Sequence, residues 1–192
     1  MKRYKIYIFR HGQTYFNRDK RFTGFLESKL TPLGIKQARI VAKKLKNKKF
    51  SVAFQSHQSR AKDTLKQVLK YHPECRKIIT DDRIIERGYG KLQGLYHDDI
   101  IKKYGQEQFD IWHRSFTIAP PGGESFAMVE KRVKSFIKYL IQFIKKNKVN
   151  VAISAHGNSI RLFRKIMEKK PKTEVVRWKI PYDRYFEYAV EA

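Results

Sequence analysis

Two apolar runs in this chain each end in a histidine followed at once by a glycine. Ile6-Tyr7-Ile8-Phe9 leads into Arg10-His11-Gly12, and Val149-Asn150-Val151-Ala152-Ile153-Ser154-Ala155 leads into His156-Gly157. A histidine in such a place can be a metal ligand, a core residue or a nucleophile. No His-Glu-x-x-His spacing and no cysteine pair accompany it, so a metal site lacks recognisable partners. A satisfied core histidine would leave Arg10 at a strand end without a purpose. As a nucleophile, a neutral imidazole attacking phosphorus gives a phosphohistidine, whose charge calls for surrounding cations. Arg10, Arg60 and His156 are the groups that could clamp it, since phosphoryl transfer rests mainly on positioning and electrostatics. Glu86, in the glycine-punctuated stretch from Ile84 to Gly94, has two readings. It is either a surface carboxylate paired with Arg87, or a general acid that protonates a leaving oxygen and then serves as base. Spacing leaves both open.

The pattern of elements is the one such a site needs. Stretches of strand length at 6–9, 51–54, 77–80 and 149–155 alternate with helical periodicities. Thr31-Pro32 opens the first long helix as cap and first-turn proline, with Leu33, Ala38, Val41, Ala42 and Leu45 as its apolar face. The helix after Arg60 turns Ala61, Leu65, Val68 and Leu69 inward. Two short helices broken at Gly105 fill 100–116, the longest helix runs from about Glu124 to Lys146, and another covers 159–167. Residues 15–30 read as a loop and 185–190 as a final edge strand. This alternation predicts one α/β domain over 1–192, a three-layer sandwich with a mostly parallel central sheet and helices on both faces. In such sheets ligands bind outside the carboxyl ends of the strands, where both His-Gly pairs would lie.

Composition narrows the setting. With 41% hydrophobic residues the chain can bury a full core, and no run approaches the roughly 18 apolar residues of a membrane span. Only four apolar residues separate the basic start from Arg10, too few for a signal peptide, so a cytoplasmic location is expected. Cys75 is the only cysteine and reads as an incidental thiol; His57 and His72 read as surface or packing residues. The net charge of +25 attracts anions and would give salt-sensitive binding to polyanions. Yet the lysines are dispersed at helix ends, as at Lys43, Lys44, Lys145 and Lys146, where they complement the helix dipole.

The motifs then become specific. Arg10-His11-Gly12-Gln13-Thr14 with Asn17, Phe22-Thr23-Gly24, Leu30-Thr31-Pro32-Leu33-Gly34, Ser59-Arg60-Ala61 and His156-Gly157-Asn158-Ser159 resemble the histidine phosphatase superfamily. Glu86-Arg87-Gly88-Tyr89-Gly90, Leu92-Gln93-Gly94-Leu95, Trp112-His113-Arg114-Ser115 and Pro120-Pro121-Gly122-Gly123-Glu124-Ser125 resemble its 2,3-bisphosphoglycerate-dependent phosphoglycerate mutases, in their short form. The resemblance implies that His11 carries the phosphoryl group, that Arg10, Arg60 and His156 hold it, and that Glu86 moves the proton. It implies that Asn17, Thr23, Gly24, Arg87, Tyr89, Arg114 and Asn158 line the substrate's phosphate and carboxylate positions. It further implies no metal, a small phosphorylated substrate, and 2,3-bisphosphoglycerate as primer.

The chain departs from that pattern in three places. His97 stands where the mutases carry a substrate-binding lysine, and His113-Arg114 where they carry paired arginines. The tail that resembles a lid in the mutases is absent after the last strand. A neutral imidazole does not replace a permanently charged fork, and a leaky site lets water take the phosphate. The expectation is therefore interconversion of 3- and 2-phosphoglycerate, with hydrolysis of a phosphomonoester as the alternative. A third alternative is a catalytically idle binder of polyanions or nucleic acid.

Overall fold

The computed structural model describes residues 2–192. Five strands form one sheet in the order β3-β2-β4-β1-β5. β1 (Arg3–Arg10), β2 (Val52–Gln55), β3 (Lys77–Thr80) and β4 (Val151–Ala155) run parallel, and β5 (Tyr185–Glu191) lies antiparallel on β1. The expected mostly parallel sheet with helices on both faces is what the chain forms. Alternation along the strands assigns the faces. Ile6, Ile8, Val52, Phe54, Val151 and Ile153 pack under α6 (Phe126–Asn147) and α7 (Gly157–Met167). Tyr7, Phe9, Ala53 and Ala152 pack under α2 (Pro32–Leu45) and α3 (Ser59–Leu69).

This arrangement decides where a site can form. The helix leaving β1 covers one face and the helix leaving β4 covers the other, so the crevice opens between these neighbouring strands at their carboxyl ends. The register Arg10↔Ala155 and the bond from His11 N–H to Ala155 O at 3.1 Å bring the two His-Gly pairs side by side.

Local chemistry fixes the helices. Thr31 caps α2 by accepting the Gly34 N–H at 3.0 Å, with Pro32 in the first turn. Ser125 caps α6 by accepting the Met128 N–H, and Lys148 ends it in the left-handed region. Phe126, Val129, Val133, Phe136, Ile137, Leu140 and Ile144 form one buried stripe of α6, each contributing about 1.5–3 kcal/mol over exposure.

Several expectations need correction. Leu33 is 49% exposed, and the inward position belongs to Gly34, because a Cβ there would lie 2.0 Å from Gln13 O. Residues 15–30 are not wholly loop, since Tyr15–Arg18 forms a short helix, α1, with a Thr14–Asn17 capping box. The two short helices span His97–Tyr104 (α4) and Gln106–Arg114 (α5), meeting at Gly105 with φ +83°. A further turn, α8 (Lys172–Val175), precedes β5. Phe22, Tyr89, Leu92, Ile100 and Phe109 make a separate small core, through which residues from the 15–30 and 85–114 excursions pack together.

Candidate active site

His11 is 2% exposed, and its Nδ1 lies 2.7 Å from the carbonyl of Gly12. A carbonyl only accepts, so Nδ1 carries the proton and Nε2 keeps its lone pair. The Gly12 backbone that provides this carbonyl is itself locked. Its N–H donates to Thr64 Oγ1 at 3.1 Å, and a Cβ on Gly12 would meet Gly34 O at 2.1 Å. Burial, reinforced by the charges of Arg60 and Arg10, holds the His11 pKa well below 6.5. The ring is thus a neutral, single-tautomer imidazole at physiological pH, with the Nε2 lone pair free to act as a nucleophile.

His156 stands beside it, with ring centroids 5.0 Å apart and planes at 58°. Burial and the same two arginines keep it neutral as well. Its Nε2 is 2.7 Å from Ser56 Oγ, while its buried Nδ1 has no partner in the protein. Arg10 Nε is likewise buried and unpartnered. Atoms of this kind suit the oxygens of a bound anion.

Glu86 comes from a different loop and completes the group. Nitrogen and oxygen atoms of His11, Glu86 and His156 all lie within 4.8 Å of one another. A metal ion could bridge such a span. However, Arg10 and Arg60 supply a positive field there, already felt by both imidazoles, that repels a divalent cation and draws an anion. Glu86 Oε1 accepts the N–H of Arg87 at 2.8 Å and of Asn158 at 3.1 Å, the latter at the amino end of α7. The surface-carboxylate reading fails, since Glu86 is 8% exposed and makes no ion pair with Arg87. Arg60, in the first turn of α3, is buried, and its guanidinium donates to Gly24 O, Leu26 O and Gln58 Oε1. Burial lowers its pKa to about 10, so it remains charged.

A cavity of about 240 Å³ opens over Glu86. Of the expected residues, Arg10, Asn17, Thr23, Gly24, Glu86, Tyr89, Arg114 and Asn158 line it, and His11, Arg60 and His156 are buried next to it. Asn158 Nδ2 reaches Tyr89 Oη at 3.2 Å, and its Oδ1 accepts from Arg161. Arg87 departs from its expectation and lines no part of the cavity. Its Nε, Nη1 and Nη2 are all spent on the carbonyls of Glu124, His113 and Trp112, so it braces the backbone.

The structure adds residues the sequence reading missed. Arg161 lines the cavity, and its position three residues after Asn158 on α7 is a signal that could have found it. Arg132 binds Glu124 with both prongs and donates to Ile85 O and Glu86 O, holding the loop that carries Glu86. A charged residue inside the apolar stripe of α6 was its trace in the sequence. Arg21 also lines the cavity, donating to Gly94 O.

His97 and His113 line the cavity on an aromatic wall with Phe22 and Phe109. The His97 ring lies 4.4 Å from Phe22 and 5.3 Å from His113. Burial lowers both pKa values, that of His113 to about 2 with Arg114 adding to the effect. Both are neutral at pH 7. Elsewhere, His72 packs on Phe50 at 4.1 Å, His57 pairs with Asp82 at the surface, and Cys75 is half-buried with its thiol pKa raised by burial, none of them lining the cavity.

Comparison with known proteins bears on this geometry. The sequence model of the histidine phosphatase superfamily (branch 1) matches residues 6–188. A 2,3-bisphosphoglycerate-dependent phosphoglycerate mutase of Pseudoalteromonas atlantica is 32% identical over 90% of this chain and 88% of its own. A phosphoglycerate mutase of Schizosaccharomyces pombe is 40% identical over 81% of this chain and 75% of its own. Among solved structures, a mycobacterial glucosyl-3-phosphoglycerate phosphatase is similar with TM-score 0.83 and 26% identity, covering 96% of this chain and 90% of its own.

Proposed function

The chain belongs to branch 1 of the histidine phosphatase superfamily, and on that premise we propose that it moves a phosphoryl group through His11, interconverting 3-phosphoglycerate and 2-phosphoglycerate. The observation that carries the reading is the bond from His11 Nδ1–H to Gly12 O, which leaves a neutral Nε2 free beside Glu86, Arg10 and Arg60. The Nε2 lone pair forms the N–P bond as the P–O ester bond breaks, and Glu86 gives its proton to the leaving oxygen. In the return step Glu86 takes the proton from an acceptor hydroxyl, whose oxygen attacks phosphorus as the N–P bond breaks. Arg10, Arg60 and His156 hold the phosphoryl oxygens. Asn17, Thr23, Gly24, Tyr89, Arg114 and Asn158 hold the rest of the substrate. The arginines and polar groups lining the cavity suit a small phosphorylated acid. 2,3-Bisphosphoglycerate primes the cycle by phosphorylating His11, no metal takes part, and the reaction belongs in the cytoplasm.

A second reading, hydrolysis of a phosphomonoester by the same residues, is favoured by His97 and His113. Neutral rings on that wall hold a second anionic group weakly, so the dephosphorylated acceptor leaves while the phosphoryl group is still on His11, and water attacks phosphorus as the N–P bond breaks, giving its proton to Glu86 and releasing inorganic phosphate.

Rapid quench with labelled 2,3-bisphosphoglycerate tests both. The expected result is acid-labile, base-stable label on His11, absent in His11→Ala, with 3-phosphoglycerate converted to 2-phosphoglycerate. Label on His11 that ends only as inorganic phosphate selects hydrolysis. No label from this primer or from any phosphomonoester rejects both.

A further inference from the structure

Three arginines of the cavity are held by one short piece of chain. Between α8 and β5, the carbonyls of alternate residues each take one guanidinium. Arg114 Nη1 donates to Val176 O at 3.2 Å, Arg161 Nε to Trp178 O at 2.7 Å, and Arg10 Nη1 to Ile180 O at 2.8 Å. The piece is anchored by Val175 and Ile180, both buried in the core. Two residues further on, the ring of Tyr182 lies 4.0 Å from Arg10 Cζ and 6.5 Å from the His11 ring.

The choice of partner matters. A carboxylate would orient a guanidinium but neutralise it, whereas a carbonyl or an aromatic face orients it and leaves its charge available. Among the described residues, the arginines in ion pairs are Arg3, Arg18, Arg83, Arg132, Arg164 and Arg184, none of which is among these three. Arg10, Arg114 and Arg161 are instead held by backbone oxygens of this one segment. The held atoms are also complementary to the free ones: Arg10 uses Nη1 on Ile180 and its Nε is unpartnered next to Gly157, where a Cβ would sit 3.2 Å from Cζ.

We propose that residues 176–182 form a positioning strap that sets the pose of Arg10, Arg114 and Arg161, and that Tyr182 is the positioning residue for Arg10. The strap works as a ruler, since its alternate carbonyls fix the spacing of the three cations and hence of the anionic groups they receive. Tyr182 keeps the Arg10 fork in the plane in which it meets a phosphoryl group at His11. The inference rests on the phosphohistidine reading above, but its physical content can be read apart from turnover.

The test compares Tyr182→Phe, which keeps the ring, with Tyr182→Ala, which removes it. Arginine side-chain NMR comes first. The Arg10 guanidinium resonances are shifted by the ring current in the wild type and in Tyr182→Phe, and relax to ordinary positions in Tyr182→Ala. Inhibition by orthovanadate and kcat/KM for an aryl phosphate come second. Both weaken about tenfold in Tyr182→Ala and change less than about twofold in Tyr182→Phe, with the melting temperature unaltered. A ring that only filled space would move the melting temperature and leave the vanadate constant alone. Wild-type Arg10 resonances without a ring-current shift, or a Tyr182→Ala protein with wild-type vanadate inhibition, overturn the proposal. If the wild type never forms phosphohistidine, the NMR arm still decides the strap, and only the parent reading fails.

Discussion

Glu86 Oε1 and the backbone N–H of Asn158 are joined by a 3.1 Å hydrogen bond across 72 residues of sequence. The carboxylate of one loop is thereby seated on the amino end of α7, the helix that His156 introduces. Replacing Glu86 by Gln keeps an oxygen for both N–H groups but removes the proton. We expect Glu86→Gln to fold normally and to lose about 10²–10⁴ in kcat on a substrate with an alkoxide leaving group. With an aryl phosphate, whose leaving group needs no proton, the loss in the phosphorylation step should be much smaller. Equal losses on the two substrates would remove Glu86 from leaving-group protonation.

The neutral histidines give the fold an acid limit. His11, His156 and His113 all have pKa values lowered by burial, that of His113 to about 2. Below 6.5 the unfolded chain takes up protons on these side chains and the folded chain does not. The stability present above 6.5 is therefore lost as pH falls. His113 alone accounts for about 2 kcal/mol between pH 7.5 and pH 5. Urea unfolding at the two pH values checks this, and His113→Gln should remove that share of the difference.

Arg132 is the brace behind Glu86, half-hidden on α6 with both prongs on Glu124 and the rest of its fork on the Ile85 and Glu86 carbonyls. Arg132→Met leaves those oxygens and the Glu124 charge unpaired. We expect a loss of about 3–5 kcal/mol in urea denaturation, together with reduced kcat. A variant with wild-type stability would mean that the loop carries its own support.

The aromatic wall can be converted chemically. His97→Lys with His113→Arg places two permanent charges where neutral rings now stand. The double variant should bind 2,3-bisphosphoglycerate at least about tenfold more tightly, by roughly 1.4 kcal/mol, and release less inorganic phosphate per isomerisation. Unchanged affinity and partitioning would show that this wall does not face the second anionic group.

Much of this was legible in the residues. The strand-end His-Gly pairs, the capped α2 and the stripe of α6 follow from periodicity and capping chemistry, because these are local rules. The convergence of His11, His156 and Glu86 was legible in part through the carboxyl-end rule for α/β sheets. What remained hidden depends on contacts distant in sequence. Arg87 looks like a ligand residue beside Glu86, yet its fork is consumed by Trp112, His113 and Glu124. Leu33 scores as an inward residue until the approach of Gly12 to Gly34 claims that side of the helix. Tyr182 and the three carbonyls before it carry no signal at all, since any residue offers a carbonyl.

The strand order has an outcome for how the molecule is born. β1 finds its neighbours only in β4 and β5, both beyond residue 150. On the ribosome the first strand therefore waits with two bare edges until most of the chain has emerged, and His11 has no companion imidazole before then. The vulnerable interval of biogenesis is then the time taken to translate the stretch between the two His-Gly pairs.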